Sequence, residues 1–344
     1  MRFCLYLSNK NSNFAEDFNI PIVEAIIRTY YQVAGHLFAV ETTDLALFSQ
    51  LANYEPFQVG TPTTVADGTT LCPATVFALR VVQDGLLDEA SRSQYQAVFT
   101  DQSDADMPRI EVYQSNLQHV EVSLGWLMRI SQWASSPICS DLQMDRRFTR
   151  GVLHVAEDCS DIHFCVDNAL MLLYAFRTIS MKTLEMHAAV VVKEGWGYLF
   201  LGHSGTGKST HARQWLQAFS DAYLMNDDNP ILRVMENGEV RVYGSPWSGK
   251  TPCYNNTYAR VGAVVKLSQS PYNQLCTLSM PQAYAYILSS ASGLKMDQEM
   301  AENMYESIKY IVTHVKCYHL DCLPNTDAAE VCFAGVANRD YGKE

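Results

Sequence analysis

The chain has no Cys-x-x-Cys pair, no run of lysines and arginines, and no uninterrupted apolar window of about 18 residues. Each absence excludes a class. Ten cysteines are present, Cys4, Cys72, Cys139, Cys159, Cys165, Cys253, Cys276, Cys317, Cys322 and Cys332, but scattered singly, so a zinc-finger or zinc-ribbon site is not expected. They read instead as reduced thiols, most of them small core residues. With 37 acidic against 25 basic residues and a net charge of -12, the chain lacks the basic face of a nucleic-acid binder. The missing apolar window argues against a membrane span. The opening Met-Arg-Phe-Cys-Leu-Tyr-Leu-Ser-Asn-Lys has no long apolar core of a signal peptide. A cytoplasmic protein with neither nucleic-acid nor membrane partners is the expectation. Repeats and low-complexity tracts are also missing.

What is there suits a globular protein. Hydrophobic residues make up 48% of the 344 and charged residues 18%, enough for two domains with sizeable cores. Residues 1–147 read as an N-terminal α+β domain without a catalytic motif. Phe3–Leu7, Phe57–Val65 and Ala74–Val82 suggest strands, the last two separated by the turn residues Asp67-Gly68. Ile22–Ala34 has helical spacing through Val23, Ile26, Ile27, Tyr30 and Val33. Ile110–Tyr113 and Val120–Val122 alternate like half-exposed strands, and Asp101–Asp106 reads as an acidic surface loop. Trp126 and Trp133 read as core residues.

Residues 148–344 carry a sharper pattern. Gly151–Val155 and Ile162–Val166 look like strands, and Asp167 is placed to cap a helix through Ala169, Leu170, Leu173 and Phe176. The apolar Thr183–Val192 turns at Glu194-Gly195 into a second strand, Gly197–Leu201. There follows Gly202-His203-Ser204-Gly205-Thr206-Gly207-Lys208-Ser209-Thr210, which fits the phosphate-binding loop pattern. The glycines free the backbone so that successive N–H groups aim at phosphate oxygens. Lys208 would bring a point charge to the β- and γ-phosphates of ATP, and Ser209 would offer its hydroxyl to Mg2+. Ala212, Trp215, Leu216 and Phe219 then recur on one helical face. The helix would start at Lys208–Ser209, with its N-terminal dipole adding to the anion site.

Further on, Ala222–Met225 is an apolar strand that ends in Asn226-Asp227-Asp228. Carboxylates at such a strand end hold Mg2+ and orient a nucleophile in phosphoryl transfer. Neighbouring residues of a strand point to opposite faces, so only one of the two faces the reaction directly. Ile231–Tyr243 reads as a hairpin around a type I′ turn at Asn237-Gly238. Gly244-Ser245-Pro246-Trp247-Ser248-Gly249-Lys250 is a basic, glycine-containing loop placed to bring Ser248 or Lys250 to the triphosphate. Val261–Leu267 is a strand. Gln282–Ser290 and Gln298–Val315 are helices, the second burying Met304, Ile308, Ile311 and Val315, and Asn338–Glu344 is a polar tail.

Met186-His187-Ala188, the loop Gly202–Ser209 and Asn226-Asp227-Asp228, in this order, resemble the catalytic domain of HPr kinase/phosphorylase. That domain is related in fold to ATP-dependent phosphoenolpyruvate carboxykinase. The resemblance spans roughly residues 148–330. It implies an α/β fold of the phosphoenolpyruvate carboxykinase-like phosphate-loop kind. It implies a kinase that uses ATP and Mg2+ to phosphorylate a hydroxyl of a protein serine or a small molecule, and a homo-oligomer. Carried over by position, Asp227 is the base, His187 assists it, and Ser209 and Asp228 hold the metal. Lys208, with Gly202, His203, Ser204, Gly205, Thr206, Gly207, Thr210 and Lys250, binds the nucleotide. Thr210 stands where HPr kinases usually have Glu, and Gly244–Lys250 stands near the place of their later signature segment. Two other readings remain open: a nucleotide-binding regulatory protein with little catalysis, and a carboxykinase-like enzyme.

Overall fold

A computed structural model describes residues 4–6, 26–60, 74–100, 108–116, 124–249 and 251–337. The turn at Asp67-Gly68, the loop Asp101–Asp106, Val120–Val122, Lys250 and the tail Asn338–Glu344 lie outside the described residues. The protein is mixed α/β, with 30% helix and 39% strand in two large mixed sheets, one of them curled into a half-barrel. It divides into two compact units, Met1–Arg177 and Thr178–Glu344, later in the chain than the 147/148 boundary expected from the sequence.

The first unit contains β1 (Cys4–Tyr6), β2 (Ile26–Val33), β3 (His36–Thr42), β4 (Gln58–Val59), β5 (Phe77–Val82), α1 (Glu89–Arg92), β6 (Tyr95–Thr100), β7 (Arg109–Ser115), β8 (Leu124–Ser131), β9 (Ser140–Asp145), β10 (Arg150–Val155) and α2 (Ile162–Ile179). The strands run β1-β2-β3-β5-β10-β9-β8-β7-β6, and the two-residue β4 adds to β2 off that path. Four expectations change here. Ile26–Val33, read as part of a helix, is a strand paired with β3 from Ile27 to Val33. The apolar spacing fits both periods, and the β-branched and aromatic Ile26, Ile27, Thr29, Tyr30, Tyr31 and Val33 favour the pleated form. Ile162–Val166, read as a strand, is the first turn of α2. Asp161 caps it by accepting from the N–H of Phe164 at 2.9 Å. Asp167 lies within the helix and takes hydrogen bonds from Asn53 and Tyr54, both at 2.9 Å. Trp126 is buried as expected, but Trp133 is 47% exposed.

The second unit contains β11 (Thr183–Glu185), β12 (Ala188–Lys193), β13 (Trp196–Leu201), α3 (Lys208–Ala218), β14 (Tyr223–Asp228), β15 (Ile231–Val234), β16 (Val240–Tyr243), β17 (Tyr258–Gln269), β18 (Gln274–Thr277), α4 (Met280–Ser290), α5 (Gln298–His314), β19 (Cys317–Cys322) and α6 (Thr326–Val336). Its main path is β11-β15-β16-β17-β13-β12-β14, with β19 pairing both β17 and β18. β12 is buried on both faces, which explains its unbroken apolar run. Asn237-Gly238 is not a type I′ turn: only Gly238 is left-handed, with φ 83°. Its N–H donates to Met235 across a wider connection closed by the N–H of Met235 on the carbonyl of Glu239.

Register fixes what each face of this sheet carries. Asp228, Ala188, Leu201, Lys266 and His319 are successive cross-strand partners, and so are Asp227, Ala189, Phe200, Val265 and Tyr318. Cross-strand partners share a face. The second row, apart from Asp227 at its end, lies in the core cluster with Ala212 and Trp215 of α3 and Ala329 and Cys332 of α6. The first row therefore lies on the opposite face, where Tyr286 of α4 meets Lys266 and His319. Only three of the eight cysteines with described side chains, Cys165, Cys317 and Cys332, are fully buried, fewer than expected; all eight are free thiols. Among the described residues, no helix is long and apolar enough to cross a membrane.

Candidate functional site

The expected phosphate loop connects β13 to α3, as its pattern requires. β13 enters as a buried strand between β12 and β17. Gly205 and Gly207 adopt φ of 76° and 105°, which L side chains rarely tolerate. A Cβ at either would have nothing within 4 Å, so the loop is open on the side these residues face. The N–H of Thr206 closes a turn onto His203, and the N–H of His211 makes the first helical bond to Gly207. His203, Ser204 and Gly205 are exposed, while Thr206, Gly207, Ser209 and Thr210 are half-buried. The hydroxyl of Thr210 is 3.5 Å from Arg213 on the helix surface. Behind the loop, His211 accepts from the indole N–H of Trp215 at 3.0 Å, and burial lowers its pKa to about 4. It packs as a neutral core residue.

Lys208 is buried under the loop it opens from. Its ammonium donates to the carbonyls of Gly202 (2.9 Å) and His203 (3.5 Å) and lies 2.8 Å from Nε2 of His187. Burial pushes its pKa below the ordinary lysine range, opposed by Asp228 and Asp227. His187 sits at the break between β11 and β12, fixed by its N–H on the carbonyl of Ser290 at 2.7 Å. Its Nδ1 is 3.0 Å from Oδ1 of Asp228. One tautomer satisfies both contacts: Nε2 accepts from the lysine and Nδ1–H donates to the aspartate.

The two aspartates end β14, one strand removed from β13 across β12. Asn226 shapes this end by accepting from the N–H groups of Asp228 (3.0 Å) and Asn229 (2.9 Å). Its amide donates in turn to Ser245 and Trp247 of the following loop. That loop closes on the carboxylates: Ser248 bridges Asp228, and the N–H of Gly249 meets the carbonyl of Asp227. A Cβ on Gly249 would sit 2.9 Å from that carbonyl oxygen and 3.3 Å from Asp228 Cβ, so glycine permits this approach. The Ser248 hydroxyl is turned away onto the Thr251 carbonyl at 2.7 Å.

The carboxylates lie on opposite faces. Asp228 faces His187. Asp227 lies on the α3 face, and its Oδ1 is buried with no hydrogen-bond partner among the described residues. The structure therefore puts His187 against Asp228, not against Asp227 as the resemblance implied. Among the described residues, no group of three or more His, Cys, Asp or Glu is arranged to hold a metal by itself. A Mg2+ that binds chiefly through phosphate oxygens needs only one or two protein oxygens. The orphaned Oδ1 of Asp227 and the Ser209 hydroxyl at the start of α3 fit that requirement.

Sequence reading missed two residues here. Glu185, two residues before His187, is fully buried; burial raises its pKa to about 8, and Asp228 adds to the effect while a hydrogen bond from Ser292 opposes it. Lys266 of β17 is level with the last residue of β13. A charged residue within an apolar strand was the signal for each. Compared with models of known protein families and with curated proteins, the chain finds no match.

Proposed function

We propose that the second unit is an ATP- and Mg2+-dependent phosphotransferase of the HPr kinase-like type, with the phosphate-loop fold of the phosphoenolpyruvate carboxykinase kind. It transfers the γ-phosphate to a hydroxyl. The observation that carries this reading is the chain of contacts from Lys208 through His187 to Asp228. It links the phosphate loop to the Asp-Asp pair in one hydrogen-bonded unit.

The loop N–H groups and the N-terminus of α3 bind the phosphate oxygens. Lys208 turns from Nε2 of His187 onto a phosphate oxygen, which leaves Nε2 free. The freed nitrogen faces the acceptor with its lone pair, while Asp228 holds Nδ1–H and supports the positive charge that forms on protonation. The acceptor oxygen bonds to the γ-phosphorus and the bond to the bridging oxygen breaks. ADP leaves with that electron pair, and the hydroxyl proton goes to Nε2. Mg2+ supplies charge neutralisation on the leaving diphosphate. Ser209 and Asp227 would hold it, because both lie on the α3 side of the sheet. This assignment moves the metal from Asp228 to Asp227 and the base from Asp227 to His187, with Asp228 as its support.

The test is ATP turnover by the full chain with Mg2+, following labelled γ-phosphate into a cell extract. Label on a protein or metabolite with wild type, lost in His187→Ala, supports the kinase. Tight nucleotide binding without transfer overturns it in favour of a nucleotide-binding regulatory protein. ATP/ADP exchange that depends on an added carboxylic acid would favour a carboxykinase-like enzyme.

A further inference from the structure

Lys266 is a second cation beside the phosphate loop, and no part of the loop pattern accounts for it. It is the register partner of Leu201, the residue immediately before Gly202. On its other side it pairs with His319 of β19. Tyr286 of α4 lies with its ring centroid 5.6 Å from the Lys266 ammonium and meets the His319 ring edge-on at 6.5 Å. His319 is held by Ser268 at 3.0 Å and by Asp321 at 3.5 Å. Gln269, three residues beyond Lys266, donates to the carbonyl of Gly205 at 3.2 Å and ties this end of β17 to the loop.

The charge here is not compensated. Among the described residues Lys266 has no carboxylate partner, and its one hydrogen bond is to the carbonyl of Leu267. Burial lowers its pKa, and its charge also lowers that of Lys208. Lys208 has Asp227 and Asp228 to offset this; Lys266 has neither. A half-buried ammonium without a counter-ion is costly, and an anion beside it removes the cost. The face decides which anion. The helix whose N-terminus serves the nucleotide, α3, packs on the opposite face of the sheet, whereas Lys266 shares its face and its row with Asp228.

We propose that Lys266, flanked by Tyr286 and His319, binds an oxyanion carried by the phosphoryl acceptor, so that the acceptor is a small hydroxy compound bearing a carboxylate or phosphate group. This rests on reading the second unit as a phosphotransferase. The acceptor spans the row from Asp228 to Lys266, its hydroxyl toward His187 and its charged group under Tyr286.

The test uses the full chain saturated with MgADP and titrated calorimetrically with inorganic phosphate and, separately, with malonate. Wild type binds at least one of the two, and the one bound tells phosphate from carboxylate. Lys266→Met and Lys266→Gln weaken that binding at least tenfold, Lys266→Arg retains it, and MgATP affinity stays within twofold in all three. Absence of anion binding by MgADP-loaded wild type overturns the proposal, as does anion binding unchanged in both neutral variants. A Lys266→Met variant that loses MgATP as severely as Lys208→Met overturns it too, because Lys266 would then serve the nucleotide. Failure of the underlying reading is distinguishable: a wild type that binds no MgATP refutes the phosphotransferase, while Lys266-dependent anion binding without nucleotide leaves the lysine site standing.

Discussion

The ammonium of Lys208 lies 2.8 Å from Nε2 of His187, and the same ammonium donates to the carbonyl of Gly202. The lysine of the glycine-rich loop and the histidine of the preceding strand break thus share one hydrogen bond; in the proposed phosphotransferase, movement of the lysine from the histidine onto a phosphate would free the histidine lone pair. His187→Ala should lower phosphoryl transfer by about 10²–10⁴-fold, the usual contribution of a positioned base. MgATP affinity should stay within a few-fold, measured by calorimetry beside labelled transfer. Unchanged transfer would remove His187 from the reaction.

Lys208→Met should weaken both steps. The side chain keeps its length and loses its charge, and a charge-assisted hydrogen bond is worth roughly 1.5–3 kcal/mol. MgATP binding should fall by about 10- to 100-fold on that basis. Wild-type affinity in this variant would mean that the loop does not hold the triphosphate as its pattern implies.

The two aspartates should separate by phenotype. Asp228→Asn disturbs the tautomer of His187 and should reduce transfer at every Mg2+ concentration. Asp227→Asn should raise the Mg2+ concentration needed for half-maximal rate and recover part of its activity at high Mg2+. Titrating Mg2+ in both variants checks this; the opposite pattern would restore the roles implied by the resemblance.

Gly249→Ala should destabilise the second unit. Its Cβ would come within 2.9 Å of the Asp227 carbonyl oxygen, a backbone atom that cannot swing aside. The cost is on the order of 1–3 kcal/mol, visible as a lower urea midpoint, with transfer reduced as the aspartates shift. A midpoint equal to wild type would show that the loop tolerates the displacement.

Stability should fall on both sides of a weakly acidic optimum, for separate reasons. Glu185 is held protonated by burial, its pKa raised from 4.5 to about 8. Between those values the folded state binds more protons than the unfolded chain, so stability is lost as pH rises through the window. His211 is held neutral by burial, its pKa lowered from 6.5 to about 4, so stability is lost as pH falls through that window. Glu185→Gln should flatten the alkaline limb of urea midpoints measured against pH and let the His211 fall toward acid begin nearer 6.5, because the opposing Glu185 slope between 4.5 and 6.5 is gone. An alkaline limb unchanged in Glu185→Gln would refute the buried, neutral carboxyl.

The sequence by itself determined the parts that rest on short-range chemistry. The glycines of the loop, the apolar run of Trp196–Leu201 before it and the helical face of Ala212 and Trp215 after it are written within a few turns of chain. So are the paired carboxylates at the end of Tyr223–Asp228 and the buried stripe Met304, Ile308 and Ile311. Tertiary structure decided what depends on register between distant segments. Alternation along β14 says that Asp227 and Asp228 point apart, but only the pairing of β14 with β12 says which one meets His187. Lys266 reaches the loop through its parallel partnership with Leu201, which leaves no trace in local pattern. Ile26–Val33 and Ile162–Val166 are ambiguous in sequence for a different reason: short apolar runs satisfy both helical and extended periods. The partner strand β3 settled the first, and the cap at Asp161 within an eighteen-residue helix settled the second.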